Sequence, residues 1–434
     1  MNVIPIDSSN PPRPLGGSVR FREALAFWCK LGLISFGGPA GQIAIMHEEV
    51  VVRRRWISEA EFSDALNFCM LLPGPEAQQL ATYLGWLLHR TKGALAAGIL
   101  FVAPSALLLW LISWSYVTWG SRPSFMGVLV GLKAAVLAVV ILAILRLGKR
   151  SLRTLFHACL ALTAFLGLWV GNIPFPWLVL GAAVLGGLRQ RLSGSPPDVP
   201  SPLGPTSTGH WARSGRVLGV GAILWWSPVL ALGFVLGWSH VLVREGVFFA
   251  KAALVTFGGA YAVLPYVAQQ AVEQFGWLTG PQMTDGLAFA ETTPGPLIMV
   301  LQFVGFMGGW NHPGTLPPLV AATLGAAITT WTTFVPSFIW ILLGAPYLAQ
   351  RRRHPVLEAA LAAVTAAVVG VILHLAVWFA LETLRSGPPT QGWLVAGLAV
   401  LAGVALSWGR CPVPLVVLGC GMLGFLLRSL GVPL

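Results

Sequence analysis

The sequence predicts an all-α protein that crosses a membrane many times and contains two inverted copies of one unit. Hydrophobic residues make up 56% of the 434 residues and charged residues only 10%, and the mean hydropathy is +0.76. Apolar stretches of roughly 17 to 26 residues recur along the chain, each long enough to cross a hydrocarbon core about 30 Å thick. A residue pattern repeated at a fixed spacing divides the chain into two related halves.

We expect thirteen apolar segments along the chain. Those of the first half cover residues 24–46, 65–88, 93–118, 124–145, 154–170 and 174–188. Those of the second half cover residues 217–239, 248–270, 285–310, 317–348, 357–382, 392–408 and 412–430. The stretch between the halves is rich in Pro, Gly and Ser, a composition typical of flexible linkers. The predicted organisation is a polar tail (1–22), a first repeat (23–190), a linker (191–216) and a second repeat (217–434).

The repeated pattern runs without insertion or deletion, and its second copy lies 221 positions after the first. The first copy consists of Phe27, Lys30, Leu33, Phe36, Gly37, Gly38, Trp56, Asp64, Leu66, Phe68, Pro73, Gly74 and Pro75. Chance is a poor explanation, because the matches include rarer residue types such as Trp and paired Gly. We therefore expect the functional site to be formed jointly by the two copies.

The net charge of +12 does not indicate nucleic-acid binding, because Lys and Arg are gathered in short loops between apolar segments. This distribution follows the positive-inside rule. The loop with Arg53, Arg54 and Arg55 has a counterpart without Lys or Arg, whereas the arginines at 351–353 correspond to Arg122 alone. When one loop of each equivalent pair is rich in Lys and Arg and the other is poor in them, the two loops are expected on opposite sides of the membrane, as in inverted-topology repeats. We expect a multi-pass protein of the inner (plasma) membrane, with the N-terminus and linker cytoplasmic and the C-terminus external.

Two topologies fit the apolar pattern. If all thirteen segments span the membrane and the N-terminus is cytoplasmic, the loop with three arginines lies on the external side, against the positive-inside rule. If the segments at 24–46, 65–88, 248–270 and 285–310 instead enter and return on one side, that loop also becomes cytoplasmic. Each pair of these segments carries the Gly or Pro that a returning backbone needs. Acidic residues in the same loop weaken the charge argument, so the sequence leaves both topologies open.

Paired glycines interrupt the opening segment of each repeat, Gly37 and Gly38 in the first and Gly258 and Gly259 in the second. Such pairs let the backbone approach another group closely or break a helix. A broken helix at membrane depth is tolerated where it is buried in protein or lines a watery cavity. Its free N–H groups and positive dipole end suit an anion. Close helix packing through small residues is the alternative.

The Pro-Gly-Pro triplets at 73–75 and 294–296 are expected to split a second segment in each repeat. Each proline removes a backbone donor and crowds the preceding turn. Glu76 follows the first triplet and Glu291 lies just before the second. A carboxyl group within an apolar stretch is costly and is a functional hypothesis by default. Glu76 or Glu291 is the predicted proton-coupled group, although a helix cap near the interface is the alternative for Glu76.

Two further residue pairs recur at the repeat spacing. Lys30 and Lys251 lie six residues before each Phe-Gly-Gly, where they could bind a substrate anion or pair with the two glutamates of an empty site. Snorkelling of the lysines to the interface is the competing interpretation. Asp64 and Asp285 lie where the Pro-Gly-Pro segments begin, and we predict that they are N-caps rather than proton carriers.

No motif predicts an enzyme or a cofactor. The sequence lacks a phosphate-binding loop, a nucleophile elbow and a His-Glu-x-x-His pair. Its five cysteines include no Cys-x-x-Cys pair and are predicted to be packing residues rather than metal ligands. We therefore expect neither a cofactor nor a metal.

The motifs FGGPAGQIA, LLPGPEAQQLA, TFGGAYAVLP and ETTPGPLIMV resemble the chromate transporter family in its long, two-domain form. The resemblance covers both halves of the chain. It implies an inner-membrane protein that exports chromate, driven by the membrane potential or by protons, and confers chromate resistance. Sulfate resembles chromate in shape and charge and is the competing substrate. The second copy lacks the arginine triplet and the glutamate after Pro-Gly-Pro, so equal roles for the copies are in doubt.

We therefore predict a secondary transporter whose two copies enclose a central oxyanion site. The predicted substrate-binding residues are Lys30, Ser35, Gly37, Gly38, Gln42, Pro73, Gly74, Pro75, Gln79, Lys251, Thr256, Gly258, Gly259, Thr292, Thr293, Pro294, Gly295 and Pro296. A passive anion channel and a membrane sensor or scaffold that acts through the linker are the rival functions. The lipid bilayer is the expected surrounding partner, and a homo-oligomer is compatible with the sequence.

Overall fold

The computed structural model describes residues 19–430, with gaps at 37, 121, 172, 194–208, 258–259, 349–354, 386–388 and 409–410. The described helices of the first repeat are α1 Phe21–Ile34, α2 Gly38–His47, α3 Glu59–Leu71, α4 Glu76–Trp119, α5 Pro123–Ser151, α6 Leu155–Trp169 and α7 Phe175–Leu192. Those of the second half are α8 Gly209–Leu236, α9 Val241–Val255, α10 Ala260–Ala268, α11 Gly280–Thr292, α12 Val300–Asn311, α13 Pro318–Leu348, α14 Pro355–Arg385, α15 Pro389–Trp408 and α16 Val413–Ser429. A π-helical turn follows α2 (Glu48–Arg53) and α10 (Gln269–Gln274), and a 3-10 turn, Leu297–Met299, precedes α12.

The predicted all-α, polytopic membrane fold is confirmed. Within the described ranges, six helices are long and apolar enough to cross a bilayer, and three shorter apolar helices accompany them. Every one of the thirteen predicted apolar segments coincides with one or two of the helices.

The two pattern copies break their helices where the sequence predicts. The first Pro-Gly-Pro triplet separates α3 from α4, and the second separates α11 from the turn before α12. Glu76 is the first residue of α4. The opening segments are also broken, because α1 ends at Ile34 and α2 begins at Gly38, whose φ is +67°.

The long element α4 consists of two antiparallel arms, 76–88 and 91–119. His89 and Arg90 have non-helical backbone angles, and Arg90 has a φ of 53°. Gly85 and Gly93 lie in contact on the two sides of this reversal, so closely that a methyl group on either would collide with the other's carbonyl oxygen. The first arm therefore returns toward the end of the molecule from which α3 enters, and the second arm crosses.

In the first repeat, both broken segments begin and end at the same end of the molecule. The Arg54 guanidinium, after α2, lies 5.0 Å from the Phe27 ring and 3.8 Å from Glu23 near the start of α1. The His89 imidazole, after the first arm of α4, lies 2.7 Å from the carbonyl oxygen of Val19. We call this end, which carries Arg53, Arg54, Arg55 and Arg90, the basic end.

The second repeat forms the same pair of hairpins at the other end. Arg244 near the start of α9 lies 5.2 Å from the Phe275 ring beyond α10. The Asn311 amide, at the end of α12, donates to the carbonyl of Trp277 just before α11 over 2.9 Å. Of the two open topologies, this geometry matches the one in which the four broken segments enter and return on one side.

The crossing helices show that the hairpins enter from opposite ends. Along the second arm of α4, Gly93 lies at the basic end, Ser105 packs against Gly295, and Tyr116 hydrogen-bonds to Asp285. Helix α13 runs the other way, because Ala321 packs on Gly309, Ser337 on Gly74 and Phe68 on Gly344. The tips of the hairpins therefore meet near the middle of these two helices.

The final helices of each repeat pack on the other repeat. Helices α15 and α16 cover α5, whereas α6 and α7 cover α14. Helix α8 has no counterpart among the described residues of the first repeat, and it packs on α9 and α13. The two halves are thus interlocked around the four hairpins.

Candidate functional site

Reciprocal backbone hydrogen bonds join the hairpin tips of the two repeats. The N–H of Gly74 donates to the carbonyl of Thr256 over 2.7 Å, and the N–H of Gly295 donates to the carbonyl of Ser35 over 2.8 Å. Ser35 and Thr256 are the C-caps of α1 and α9. Each Pro-Gly-Pro turn therefore satisfies a helix-terminal carbonyl of the opposite repeat, a group that has no partner within its own helix.

Buried side chains fix these tips. The hydroxyls of Ser35 and Thr256 each donate back to a carbonyl one turn earlier, over 2.6 Å in both repeats. The Gln42 amide donates to the carbonyl of Gly295 over 2.5 Å, and the Gln79 amide donates to the carbonyl of Pro73 over 2.7 Å. All four side chains are inaccessible to solvent.

The glycine of each triplet is required by both conformation and space. Gly74 has a φ of +128° and Gly295 a φ of +110°, values that side-chain-bearing residues rarely adopt. A Cβ on Gly74 would lie 2.8 Å from the Ser337 hydroxyl oxygen, and one on Gly295 would collide with Ser105.

Helix termini of both signs converge on this centre. Helices α2, α4 and α10 begin at the tips, while α1, α3, α9 and α11 end there. The first N–H groups of a helix lack intrahelical partners and carry a partial positive charge. Such N-termini are suited to bind an oxyanion.

The two predicted glutamates lie at the tips in different surroundings. Glu291 is buried, and its Oε1 accepts a hydrogen bond of 2.6 Å from the Tyr261 hydroxyl. Glu76 is half-buried at the start of α4. Two arginines one turn apart on α5 interact electrostatically with this region, Arg150 with Glu76 and Arg146 with Tyr261.

The predicted lysines lie away from the buried tips. Lys30 on α1 and Lys251 on α9 are both exposed. In the described part of the chain neither forms an ion pair with Glu76 or Glu291. The alternative in which these lysines pair with the two glutamates is therefore not seen among the described residues.

The remaining predicted residues fall into three groups. Thr292 and Thr293 lie at the end of α11, and their hydroxyls donate to carbonyls of the preceding turn over 2.9 and 3.3 Å. Gly37, Gly258 and Gly259 lie outside the described residues. The prolines of both triplets form the turns themselves.

The prediction that Asp64 and Asp285 are N-caps is wrong. Ser58 caps α3 and Thr279 caps α11, each in a capping box with the residue three positions later. Asp64 is exposed in the middle of α3, whereas Asp285 is buried within α11. The capping serine and threonine lie six residues before the aspartates, at equivalent positions of the two repeats.

Asp285 is the centre of a polar cluster that joins the repeats at membrane depth. Its Oδ1 lies 2.8 Å from the Lys133 ammonium of α5, and its Oδ2 accepts a hydrogen bond of 2.9 Å from the Tyr116 hydroxyl of α4. Sequence reasoning missed this cluster, although a lone lysine inside the apolar segment 124–145 was a signal for it. It also assigned Arg146 and Arg150 to the positive-inside pattern alone.

With this geometry established, the relationship to known proteins is clear. The sequence model of the chromate transporter family matches residues 22–187 and 245–425, the greater part of the chain. The chain belongs to the chromate transporter family. The resemblance identified from the sequence motifs is confirmed, and both matched regions contain a glycine break and a Pro-Gly-Pro turn.

Named relatives are similar over almost their whole length. The chromate transport protein of Pseudomonas aeruginosa is 31% identical over 94% of this chain and 92% of its own length. That of Cupriavidus metallidurans is 29% identical over 96% of this chain and 98% of its own length. A probable chromate transport protein of Synechococcus elongatus is 27% identical over 94% and 96%. No solved structure matches this chromate transporter family member.

Proposed function

We propose that this protein is a secondary transporter that exports chromate, or a closely related tetrahedral oxyanion such as sulfate, from the cytoplasm. The observation that carries the proposal is the reciprocal contact of the tips, Gly74 with Thr256 and Gly295 with Ser35. Inverted repeats that meet at broken helices build a central site that can open to each side in turn. The names of the relatives favour chromate as the oxyanion.

The oxyanion would bind at the tips, where helix N-termini supply N–H donors. In this proposal the residues around it are those predicted from the sequence, namely Ser35, Gly37, Gly38, Gln42, Pro73, Gly74, Pro75, Gln79, Thr256, Gly258, Gly259, Thr292, Thr293, Pro294, Gly295 and Pro296. Lys30 and Lys251 would meet the anion on its path, since both are exposed rather than locked in an ion pair. Arg146 and Arg150 add positive potential beside the same tips.

The orientation we propose places the basic end in the cytoplasm of a cell with an inner membrane. Arg53, Arg54, Arg55 and Arg90 lie at that end, and the positive-inside rule favours a cytoplasmic side for them. The N-terminus and the linker would then be cytoplasmic and the C-terminus external. The inside-negative potential favours expulsion of a dianion by about 2.3 kcal/mol per charge per 100 mV, so export needs little further driving force.

Glu76 and Glu291 are the proposed proton-coupled groups of the site. An ionised carboxylate next to a bound dianion is repelled by it, so anion binding favours the protonated acid. The Tyr261 hydroxyl donates a hydrogen bond to one Glu291 oxygen, and the Arg150 guanidinium interacts electrostatically with the Glu76 carboxyl group. Protonation and anion binding would therefore be linked at the tips.

Uptake of radiolabelled chromate into inverted membrane vesicles tests the proposal, with sulfate as competitor and vesicles without the protein as control. Protein-dependent accumulation that responds to an imposed potential supports chromate export. Accumulation of sulfate alone would reassign the substrate. Flux far above transporter turnover without dependence on a counter-ion would indicate a channel, and no flux at all would end the transport proposal.

A further inference from the structure

Glu245 is a buried acid that the proposed oxyanion site does not use. It lies in the second turn of α9, its residue is 0% exposed, and neither carboxyl oxygen has a hydrogen-bond partner among the described residues. Its oxygens fill the space left by two glycines, because a Cβ on Gly308 of α12 would collide with Oε1 and one on Gly325 of α13 would lie 2.9 Å from Oε2. The carboxyl group thus sits where α9, α12 and α13 meet.

Among the described residues, no Lys or Arg forms an ion pair with Glu245. The His240 ring at the N-cap of α9 lies against Gly314 instead, where a Cβ would be 2.8 Å from Nε2. The segments α12 (Val300–Asn311) and α13 (Pro318–Leu348) contain no Asp, Glu, Lys, Arg or His. The neighbouring Arg244 extends to the Phe275 ring. Val229 of helix α8 contacts Gly246, the residue after Glu245. The arginines of α8 lie about 20 Å from Val229 along the axis of α8. A carboxylate without partner in such surroundings is prohibitively costly, so Glu245 holds a proton.

A line of free hydroxyl groups leads from Glu245 to the tips. Thr329, Thr333 and Ser337 follow Gly325 at successive turns of α13, and they are 0%, 2% and 0% exposed. None of the three hydroxyls has a hydrogen-bond partner in the described structure. The adjacent Thr332, by contrast, donates to the carbonyl of Ile328 over 2.8 Å.

The line connects two places already described. Thr329 packs on Gly305 at the crossing of α12 and α13, and Ser337 packs on Gly74 of the Pro-Gly-Pro turn. The stretch from Gly325 to Ser337 covers about 18 Å of helix. Groups one turn apart are about 5 to 6 Å from each other, a separation that matches the length of a hydrogen-bonded bridge through one water molecule.

The first repeat has no such line. The residue equivalent to Glu245 at the repeat spacing is Ala24. On the second arm of α4, Ser105 faces Gly295 as Ser337 faces Gly74, and its hydroxyl donates to its own helix over 2.8 Å. Ala97 and Phe101 occupy the two preceding turns. The buried polar line is therefore a property of the second repeat alone.

We propose that Glu245 is a proton-binding site and that the hydroxyls of Thr329, Thr333 and Ser337 connect it to the hairpin tips. Glu245 lies about 6 Å along the helix from the first residue of α9, close to the end of the molecule opposite the basic end. It exchanges its proton with the solution on that side. The inference rests on the proposed function, since a proton delivered from the external side to the tips would protonate Glu76 or Glu291, the form that favours oxyanion binding.

A proton fits this position better than a metal ion. A sodium or calcium ion requires several oxygen ligands around it, and among the described residues no cluster of three or more acidic, His or Cys side chains is present to hold a metal ion. A single carboxyl group suffices for a proton.

The test is chromate uptake into inverted vesicles with the lumenal pH varied and the bath pH held constant. The lumen then corresponds to the external side. We expect wild-type uptake to accelerate as the lumen is acidified, and Glu245→Gln to lose this dependence. Thr333→Val, which keeps Glu245, should weaken it severalfold. Two matched controls, Thr332→Val on the same helix and the exposed Glu273→Gln on the same hairpin, should retain it.

A second readout separates this inference from the proposed function. Infrared spectra of the purified wild-type protein should contain one protonated-carboxyl component that Glu245→Gln removes, whether or not chromate is transported. If the wild-type protein takes up no chromate at any lumenal pH, the transport proposal fails and the proton-site inference still stands. The proton site is overturned if the spectrum of Glu245→Gln keeps every protonated-carboxyl component of the wild type, if lumenal pH acts equally on that variant, or if uptake follows lumenal Na⁺ instead of pH.

Discussion

The backbone N–H of Gly295 donates to the carbonyl of Ser35 over 2.8 Å, so a turn in the second repeat completes a helix end in the first. Gly74 and Thr256 make the same bond in the reverse direction over 2.7 Å. Both bonds lie at the tips of hairpins that enter from opposite ends. The oxyanion site of each repeat is thus built on groups of the other.

We expect Gly74→Ala and Gly295→Ala to abolish transport. A side chain at a positive φ costs about 1 to 2 kcal/mol, and overpacking against Ser337 or Ser105 adds about 1 to 3 kcal/mol. The midpoint of thermal unfolding in detergent and chromate uptake measure the two effects. Gly219→Ala on α8 is the control, since its Cβ meets nothing within 4 Å. Normal uptake by either triplet variant would show that the tips tolerate displacement.

Breaking the ion pair between Lys133 and Asp285 should destabilise the protein strongly. Loss of one partner leaves a buried charge uncompensated, at a cost of about 3 to 5 kcal/mol. Asp285→Asn and Lys133→Met should each lower the unfolding midpoint more than the double variant does. Glu48→Gln, which breaks an exposed pair with Arg53, should cost less than about 1 kcal/mol. Additive effects in the double variant would contradict a direct interaction.

Lys30→Ala and Lys251→Ala should raise the chromate concentration needed for half-maximal uptake. Both side chains are exposed, so their removal should leave the unfolding midpoint nearly unchanged while it removes a positive charge from the anion's path. Lys30→Arg and Lys251→Arg, which keep the charge, should recover much of the uptake. Unaltered kinetics in both alanine variants would remove the lysines from the proposed site.

Apparent chromate affinity should fall as the bath pH of inverted vesicles rises. Higher pH favours the ionised form of Glu76 and Glu291, and an ionised carboxylate repels a dianion. Glu76→Gln and Glu291→Gln mimic the protonated acid, so each should flatten the dependence of affinity on bath pH. Glu61→Gln, at an exposed position in the N-terminal cap of α3, is the control. An unchanged pH profile in both site variants would assign the linkage elsewhere.

The repeat spacing predicted the hairpin tips because Pro and paired Gly act locally on the backbone. Gly74, Gly295 and the start of α4 at Glu76 could therefore be located without tertiary information. The bonds from these glycines to Thr256 and Ser35 could not, since they depend on how two distant segments meet.

The failures concern residues whose role depends on burial. Asp64 and Asp285 occupy equivalent positions, yet one is exposed and the other pairs with Lys133. Neither caps a helix, because the capping boxes of Ser58 and Thr279 lie earlier in the chain. Glu245 has no repeat partner, and a search for repeated residues cannot find it.

The interlocked packing of α6 and α7 on α14, and of α15 and α16 on α5, has a consequence for biosynthesis. When the first half leaves the ribosome, its hairpin tips lack the carbonyl and N–H partners that the second half supplies, and α5 lacks its cover. The first half is therefore expected to be inserted in the bilayer without its native packing until the second half is translated. Assembly of the halves, rather than insertion of any single helix, is then the step at which the protein acquires its native structure.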